Sequence, residues 1–423
     1  MSKPSGSGTT ALRALAAGRV VTCDPGRATA ADPLGVVVDG VVLVEKDRVR
    51  EVLTRAELEA RFPEVTLEVD APAAVITPGL VDAHTHAPWF GSRHGEYAMR
   101  MGGADYEAIA KAGGGIVAST RAVRAAAREE LTATLRARVM RMASLGVTTI
   151  ECKSGYGLDE TGERKQLEAI ADVDGPGSPR LVPTYLALHA LPAEAGGDRD
   201  RYAGVVRDAW LPGIARDGLA RFVDAYIDRS AFSAATARPV LERARELGLG
   251  VRVHVGQFAD VGGAELAAAL GASSVDHLEN VGDAGIAAVA RAGCRAVLLP
   301  VASFTLGQAP PPVARLRQAG VPLCVASDAN PGTAPTESLP LAMALAVRSY
   351  GLTVAEAILG ATREAAASLG LGAECGALSA GLSVDLVVWD LPHEDALVQP
   401  WGTARAMRVL RAGAQIAPGQ GGQ

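Results

Sequence analysis

The middle of the chain alternates between short apolar segments and longer Ala-rich segments whose apolar positions recur with helical spacing. Apolar strands that alternate with amphipathic helices are typical of βα units around a parallel sheet. The predicted strands are Gly79–His84, Thr148–Cys152, Leu181–His189, Phe222–Ile227, Val251–Val255, Ser274–His277, Ala296–Pro300 and Leu323–Ser327. Helices such as Leu131–Leu145 and Ala264–Leu270 are predicted between them. Eight such strands predict an α/β fold, a (β/α)8 TIM-like barrel over residues 77–372.

Both ends of the chain contain short β-type segments instead. The predicted strands there are Arg19–Thr22, Gly35–Val38, Val41–Glu45 and Val49–Leu53 near the N-terminus, and Val384–Trp389 and Met407–Arg411 near the C-terminus. Asp39-Gly40 lies between two apolar runs and predicts a hairpin turn. We therefore expect residues 1–76 and 373–423 to form one composite β-sandwich domain beside the barrel.

Composition narrows the classes of function. The 423 residues are 48% hydrophobic, enough for a large buried core, and the formal net charge is -6. A negative balance argues against nucleic acid as a partner, because phosphate binding needs clustered positive charge. From the polar N-terminus and the lack of a run of about 18 apolar residues, we expect neither a secretion signal nor a membrane span. Five cysteines without a CxxC pair favour reduced thiols, so we expect a cytoplasmic protein without a membrane partner.

The histidines are concentrated at predicted strand ends. His84 and His86 are two residues apart at the end of an apolar run, and residues two apart on a strand share one face. In a chain with seven histidines, such a pair alone is equally consistent with core or surface histidines. The polar residues at or just beyond the ends of the predicted strands are His84, His86, His189, His254, His277 and Asp328. Only His94 and His393 lie elsewhere.

The carboxyl ends of barrel strands meet at one face and build the active site. We therefore expect His84, His86, His254 and Asp328 to bind one metal ion. Neutral imidazoles and a carboxylate suit Zn(II) or Fe(II) equally, and no cysteine is placed to compete.

This spacing resembles the amidohydrolase superfamily, with an HxH on strand one, one His each on strands five and six, and Asp on strand eight. The resemblance implies that His277 sits beside the metal-bound water, although a packing role for His277 stays open. Relatives with two metals bridge them with a carboxylated lysine on strand four. Here Lys153 follows the second predicted strand and no lysine lies near Phe222–Ile227, so we expect one Zn²⁺ or Fe ion per chain and a structural or solvent-exposed Lys153.

Loop motifs narrow the resemblance to the branch of the superfamily that opens the ring of 4-imidazolone-5-propanoate in histidine breakdown, giving N-formimidoyl-L-glutamate. The similarity covers the barrel from about Thr77 to Leu371. It is carried by Gly91-Ser92-Arg93, Ala112-Gly113-Gly114-Gly115-Ile116, Lys153-Ser154-Gly155-Tyr156-Gly157-Leu158-Asp159 and Asp328-Ala329-Asn330-Pro331-Gly332-Thr333.

The substrate of that branch is a small anion. Arg93 offers a planar fork that can hold a carboxylate through two parallel hydrogen bonds. The resemblance implies that Tyr156 and His189 contact the ring and its substituents. It also implies that the rest of the substrate site is lined by Gln257, Asn330, Gly332 and Thr333.

Two positions depart from the common pattern of that branch. Ala83 stands where relatives often carry Cys, and its side chain is expected to point away from the ion. Gln257 stands where members have Glu or Gln, and a neutral amide cannot act as a base.

The resemblance also implies a mechanism. The metal lowers the pKa of its bound water, the resulting hydroxide attacks the ring carbonyl, and His277 stabilises the oxyanion. Asp328 accepts the proton of the water and returns it to the departing nitrogen.

Two other functions stay open at this point. A mononuclear-metal deaminase of a heterocyclic base would share the metal set, but a neutral base would give Arg93 no partner. A catalytically inactive barrel that serves as a scaffold would be expected to lack several ligands, and none is missing. A homodimer is expected only because it is the commonest homo-oligomer.

Overall fold

A computed structural model describes residues 12–103, 113–399, 401 and 405–418. The strands in this part are β1 (Leu12–Val21), β2 (Val36–Glu45), β3 (Arg48–Thr54), β4 (Leu67–Pro78), β5 (Leu80–Asp82), β6 (Val147–Lys153), β7 (Arg180–Leu188), β8 (Phe222–Ile227), β9 (Gly250–Val255), β10 (Ser274–His277), β11 (Arg295–Leu298), β12 (Leu323–Val325), β13 (Leu386–Trp389), β14 (Ala406–Arg411) and β15 (Ala414–Pro418).

The helices in the same part are α1 (Arg55–Arg61), α2 (His94–Met101), α3 (Ile116–Ala125), α4 (Arg128–Ser144), α5 (Glu160–Val173), α6 (Arg199–Val205), α7 (Leu211–Arg216), α8 (Ala234–Glu246), α9 (Gly263–Ala269), α10 (Asp283–Ala292), α11 (Pro300–Leu306), α12 (Val313–Gln318), α13 (Leu339–Tyr350), α14 (Val354–Gly360) and α15 (Arg363–Ser368). Short 3₁₀ turns span Ala193–Ala195 and Glu394–Val398, and a π-helical turn spans Val206–Trp210.

Strands from both chain ends form one mixed sheet with the order β15-β14-β13-β4-β1-β2-β3. The two ends meet in the antiparallel pair of β4 with β13 and in a bridge between Arg48 and Ser383, and β1 pairs in parallel with β4. A small sheet assembled from both termini is therefore confirmed. Sequence patterns missed β4 and β15. The first seven residues of β4 are exposed or half-buried and include Asp70 and Pro72, which are uncommon in strands.

The predicted hairpin turn at Asp39-Gly40 is wrong, because β2 runs through both residues as a single strand. Asp39 does take the positive φ of 47° that such a turn would need. However, β2 pairs with β1 on both sides of this point, at Val38 with Arg19 and at Gly40 with Ala17. Ladder hydrogen bonds to the flanking strands keep the chain extended. Gly40 is required because a Cβ there would clash with the Val20 side chain.

The barrel sheet contains eight parallel strands in the order β5 to β12, as predicted. β5 and β12 are shorter than the predicted strands, ending at Asp82 and Val325. The loops beyond them close the ring through a bridge between Thr85 and Ala329. The backbone N–H of Asp328 also donates to the His84 carbonyl at 3.1 Å. The closing segments of the barrel therefore carry His84, His86 and Asp328.

One apolar cluster includes residues of both the sheet and the barrel, and two further clusters lie within the small sheet domain. Trp389 of β13 is fully buried, donates from its indole N–H to Thr77 Oγ1 at 2.9 Å, and packs where a Cβ on Gly146 would stand. The predicted division at residues 76/77 and 372/373 stays a prediction, and residues 1–11 and 419–423 of it lie outside the described part. In that part no helix is long and apolar enough to span a membrane.

Candidate metal centre

Three histidines meet at the carboxyl ends of the barrel strands. His84 and His86 follow β5 and His254 lies on β9, and each offers one ring nitrogen within 4.8 Å of the others. All three side chains are buried. Alternate residues of each barrel strand face inward, and the carboxyl ends of the strands meet at one face. The barrel geometry therefore brings the three histidines together.

Buried aspartates orient two of these rings. His84 Nδ1 lies 2.7 Å from Asp276 Oδ2, and His254 Nδ1 lies 3.0 Å from Asp224 Oδ1. The Nε2 atoms of His84 and His254 have no hydrogen-bond partner, and neither does Nδ1 of His86. Burial lowers the pKa of both His84 and His254, so their rings are neutral at pH 7. A neutral ring with one nitrogen held by a carboxylate presents a lone pair at the other, which is the arrangement of a metal ligand.

Asp328 lies beside this group. Its Oδ1 lies 3.5 Å from His84 Nε2 and 3.4 Å from His86 Nε2. Burial alone would raise the pKa of this carboxyl, but the neighbouring histidines hold it below its ordinary value, so Asp328 is ionised. Unpartnered imidazole nitrogens beside a buried carboxylate fit a divalent cation, since each such atom would otherwise be left unsatisfied.

His277 borders the centre, with its ring centroid 5.9 Å from that of His84 and 5.6 Å from that of His254. Glu279, which sequence reasoning missed, lies 3.6 Å from His277 Nδ1 and accepts a hydrogen bond from Ser303 Oγ. Burial would lower the pKa of His277, but Glu279 raises it above the ordinary value. Glu279 could have been found from the motif Asp276-His277-Leu278-Glu279, because it is only two residues beyond His277.

Tyr156 and His189 lie together beside His86. The His189 ring stacks on His86 with centroids 5.3 Å apart, and the Tyr156 ring is 5.8 Å from His86. His189 Nδ1 bonds to the Gly155 carbonyl at 2.7 Å, and burial lowers the pKa of His189 to about 3. Glu163, also missed from the sequence, holds this loop through the backbone N–H groups of residues 155, 157 and 158.

Arg93 reaches the loop after β12, where a Cβ on Gly332 would clash with its guanidinium. Its fork already holds a carboxylate. Arg93 Nε and Nη2 donate to Glu96 Oε2 at 2.9 and 2.6 Å. Glu96 also accepts the N–H of Gly115 at 2.9 Å, which ties α2 to the start of α3. Ala112 of the glycine-rich motif lies outside the described residues.

The Asn330 side chain organises its own loop. Its Oδ1 accepts from the N–H groups of Gly332 and Thr333 at 2.8 and 2.7 Å, and its Nδ2 donates to the Asp328 carbonyl at 2.7 Å. The loop is thereby fixed to the residue that borders the histidines.

Gln257 lies just beyond β9, where its Oε1 accepts a hydrogen bond from the Tyr226 hydroxyl at 2.7 Å. Tyr226 was not predicted, although it alternates with Asp224 along β8. Ala83 packs with Val81 and Leu369 on the far side of the strand, away from the histidines, as expected.

The sequence analysis expected Lys153 to be either structural or solvent-exposed. The structure shows that it is structural. Its side chain is fully buried and its Nζ lies 2.8 Å from both Glu151 Oε1 and Asp224 Oδ2. Arg252 and Asp276 complete this buried ionic cluster, which the sequence analysis missed. The sequence did contain an indication of this cluster. Glu151 and Lys153 are charged residues at alternate positions of one strand, and such positions are apolar in an ordinary barrel interior.

Comparison with known proteins defines the class. The model of the amidohydrolase family matches residues 75–415, four-fifths of the chain, so the chain belongs to the amidohydrolase family. The solved structure of an adenosine deaminase from Xanthomonas campestris with bound zinc superposes with a TM-score of 0.70 at 21% identity, covering 95% of this chain and 92% of that chain. At this identity the likeness concerns the fold. Family and histidine cluster together indicate a metal-binding site.

Within the family, the chain is similar to several proteins that share one name. An imidazolonepropionase of Acidiphilium cryptum is 44% identical over 396 residues, covering 93% of this chain and 97% of the relative. One of Polaromonas sp. is 42% identical over 401 residues, covering 93% and 94%. The resemblance inferred from the loop motifs is confirmed: the relatives are named imidazolonepropionase, and the chain belongs to the amidohydrolase family.

Proposed function

We propose that this protein hydrolyses the cyclic amide bond of 4-imidazolone-5-propanoate to give N-formimidoyl-L-glutamate, as an imidazolonepropionase. The observation that carries the proposal is the buried His84, His86 and His254 cluster with Asp328 beside it, in a chain whose relatives bear that name. These four side chains would hold one Zn²⁺ or Fe ion. Imidazole and carboxylate ligands suit either metal.

Bound there, the ion would supply Lewis acidity and lower the pKa of a coordinated water from about 15.7 toward roughly 7. Asp328 is ionised and borders two of the histidines, so it would take the proton of the attacking water and return it to the departing ring nitrogen. His277, whose pKa is raised beside Glu279, would donate to the oxygen that becomes negatively charged.

Substrate contacts follow from the loops around the centre. Tyr156 and His189 would pack against the five-membered ring, since both already lie beside His86. Arg93 would bind the propionate in place of Glu96, because its fork accepts one bidentate carboxylate at a time. The remaining contacts would come from Gln257, Asn330, Gly332 and Thr333. The Gln257 amide would bind but not take part in proton transfer.

The test is hydrolysis of 4-imidazolone-5-propanoate by the purified metal-loaded protein, followed by the loss of substrate absorbance, beside a panel of purine and cytosine-like bases. Turnover of a base instead of the imidazolone would replace the proposal with a deaminase.

Asp328→Asn is expected to keep the fold and to lower kcat by about 10²–10⁴-fold, the usual contribution of a general acid or base. Asp47→Asn, an exposed aspartate in the small sheet, is the matched control and should leave kcat unchanged. Near-normal turnover in Asp328→Asn would remove Asp328 from proton transfer.

The location and the assembly stay predictions of the sequence. We propose a cytoplasmic enzyme without nucleic-acid or membrane partners, and a homodimer that light scattering of the purified protein would test.

A further inference from the structure

The buried ionic cluster beneath the histidines converges on one ammonium group. Lys153 Nζ donates to Glu151 Oε1 and to Asp224 Oδ2, each at 2.8 Å, and lies 3.7 Å from Asp276 Oδ2. All four side chains are fully buried in the barrel. Burial alone would make an ammonium expensive, and only close carboxylates offset that cost.

Each of these carboxylates in turn holds a different part of the metal centre. Asp224 bonds to the ring of His254, and Asp276 bonds to the ring of His84. Glu151 Oε2 accepts the backbone N–H of Thr85 at 3.2 Å, and Thr85 is the residue between His84 and His86. One ammonium therefore lies beside the carboxylates that hold both histidine-bearing segments, His84–His86 and the end of β9.

We propose that Lys153 is a positioning residue for the metal centre, setting the orientation of Asp224, Asp276 and Glu151 and through them the three histidines. This inference rests on the proposed metal site but not on the proposed substrate. Arg252, the other buried cation, is placed differently. It lies as close to Asp276 as Lys153 does, at 3.6 Å, but 3.8 Å from Glu151. Its hydrogen bonds go to the carbonyls of Ala83 and Ser368, whereas those of Lys153 go to Glu151 and Asp224.

Charge and geometry make opposite predictions for Lys153→Met. Removing a positive charge near a cation site would tighten metal binding by Coulomb's law alone. Loss of orientation would weaken it, and disturbing groups behind metal ligands typically costs about 10–100-fold in affinity. The direction of the change therefore separates a positioning role from a charge-balancing one.

The experiment measures Zn²⁺ affinity by chelator competition and the visible spectrum of the Co²⁺-substituted protein, with unfolding of the metal-free form as a check on the fold. Lys153→Met is expected to bind Zn²⁺ about 10–100-fold more weakly and to change the Co²⁺ spectrum. Lys165→Met is the matched control, since Lys165 Nζ donates to the carbonyls of Arg124 and Ala126 and contacts no ligand. Unchanged or tighter binding in Lys153→Met would overturn the proposal.

A double variant, Glu151→Gln with Lys153→Met, keeps the local net charge and leaves only Asp224, not both Glu151 and Asp224, without the ammonium partner, so it should fold more readily than the single variant. Weakened Zn²⁺ binding in the double variant supports positioning, whereas wild-type affinity there would show that Lys153 only balances charge. Activity is not needed for either readout. A wild-type protein that binds Zn²⁺ tightly but leaves 4-imidazolone-5-propanoate intact would contradict the proposed function alone.

Discussion

At the scale of single residues, the histidines of the centre differ in what holds them. His84 and His254 each have one ring nitrogen bonded to a buried aspartate and the other without a partner. A carboxylate accepts only from N–H, so it fixes the tautomer and leaves the lone pair on the opposite nitrogen. The metal-binding properties of the site therefore depend on Asp276 and Asp224 as well as on the histidines they hold.

Arg93 and Glu96 form a residue-scale pair with opposite expected effects. Arg93→Ala should raise KM for 4-imidazolone-5-propanoate by about 10–100-fold, the value of a charge-assisted contact of 1.5–3 kcal/mol. Glu96→Gln should lower KM, because the substrate carboxylate no longer competes with Glu96 for the fork. Steady-state kinetics check both, with exposed Arg121→Ala as the control. An unchanged KM in Arg93→Ala would exclude the carboxylate contact.

At the scale of elements, the closing loops after β5 and β12 matter more than the strands. Both strands end before the residues that form the centre, and Asp82 accepts from Ser327 N and Oγ to join them. Sequence patterns predicted these strands too long, because an apolar run does not show where ladder pairing stops. The ends of β8 and β10, at Ile227 and His277, were predicted correctly.

A second element-scale contact ties β1 to the C-terminal 3₁₀ turn. Arg19 holds Glu394 through two hydrogen bonds of 2.6 Å, and Glu394 is almost fully buried. Burial alone would raise the pKa of Glu394, but Arg19 lowers it below 4.5. The contribution to stability is therefore present above pH 4.5 and lost as the pH falls through the folded-state pKa.

Glu394→Gln is accordingly expected to lower the free energy of unfolding by about 1.5–3 kcal/mol at pH 7, the range for hydrogen bonds to charged groups. The difference from wild type should shrink below pH 4.5. Chemical denaturation at several pH values measures it. Glu45→Gln, which removes a single exposed contact of 3.4 Å with Arg50, is the control and should have little effect. If the difference in the free energy of unfolding does not change with pH, the lost stability comes from packing and not from the ion pair.

At the scale of the whole molecule, the barrel interior is an ionic network joined to the metal centre, whereas most barrel interiors are layers of branched apolar side chains. Glu151, Asp224 and Asp276 face Lys153 and Arg252, and the fourth buried carboxylate, Asp328, faces the histidines. The four carboxylates exceed the two cations by two charges, which one divalent ion would neutralise.

Metal removal should therefore destabilise the whole fold. Chelation is expected to lower the thermal unfolding midpoint, and Zn²⁺ should restore it, because a ligand of the native state alone stabilises by about 4 kcal/mol at 1,000 times its dissociation constant. Mg²⁺ is the control ion and should not restore it, since it prefers oxygen ligands. The expectation fails if the midpoint is the same with and without the ion.

The sequence by itself determined the alternation of strands and helices, the parallel barrel and the polar residues at its strand ends. This was possible because periodicity and position within a strand are local properties, and a barrel brings all strand ends to one face. Only the tertiary structure decided that Lys153 is buried against Asp224, 71 positions away, that His84 meets Asp276, 192 positions away, and that β2 continues through Asp39-Gly40. Those outcomes depend on which distant neighbours surround a residue, and no local pattern contains that information.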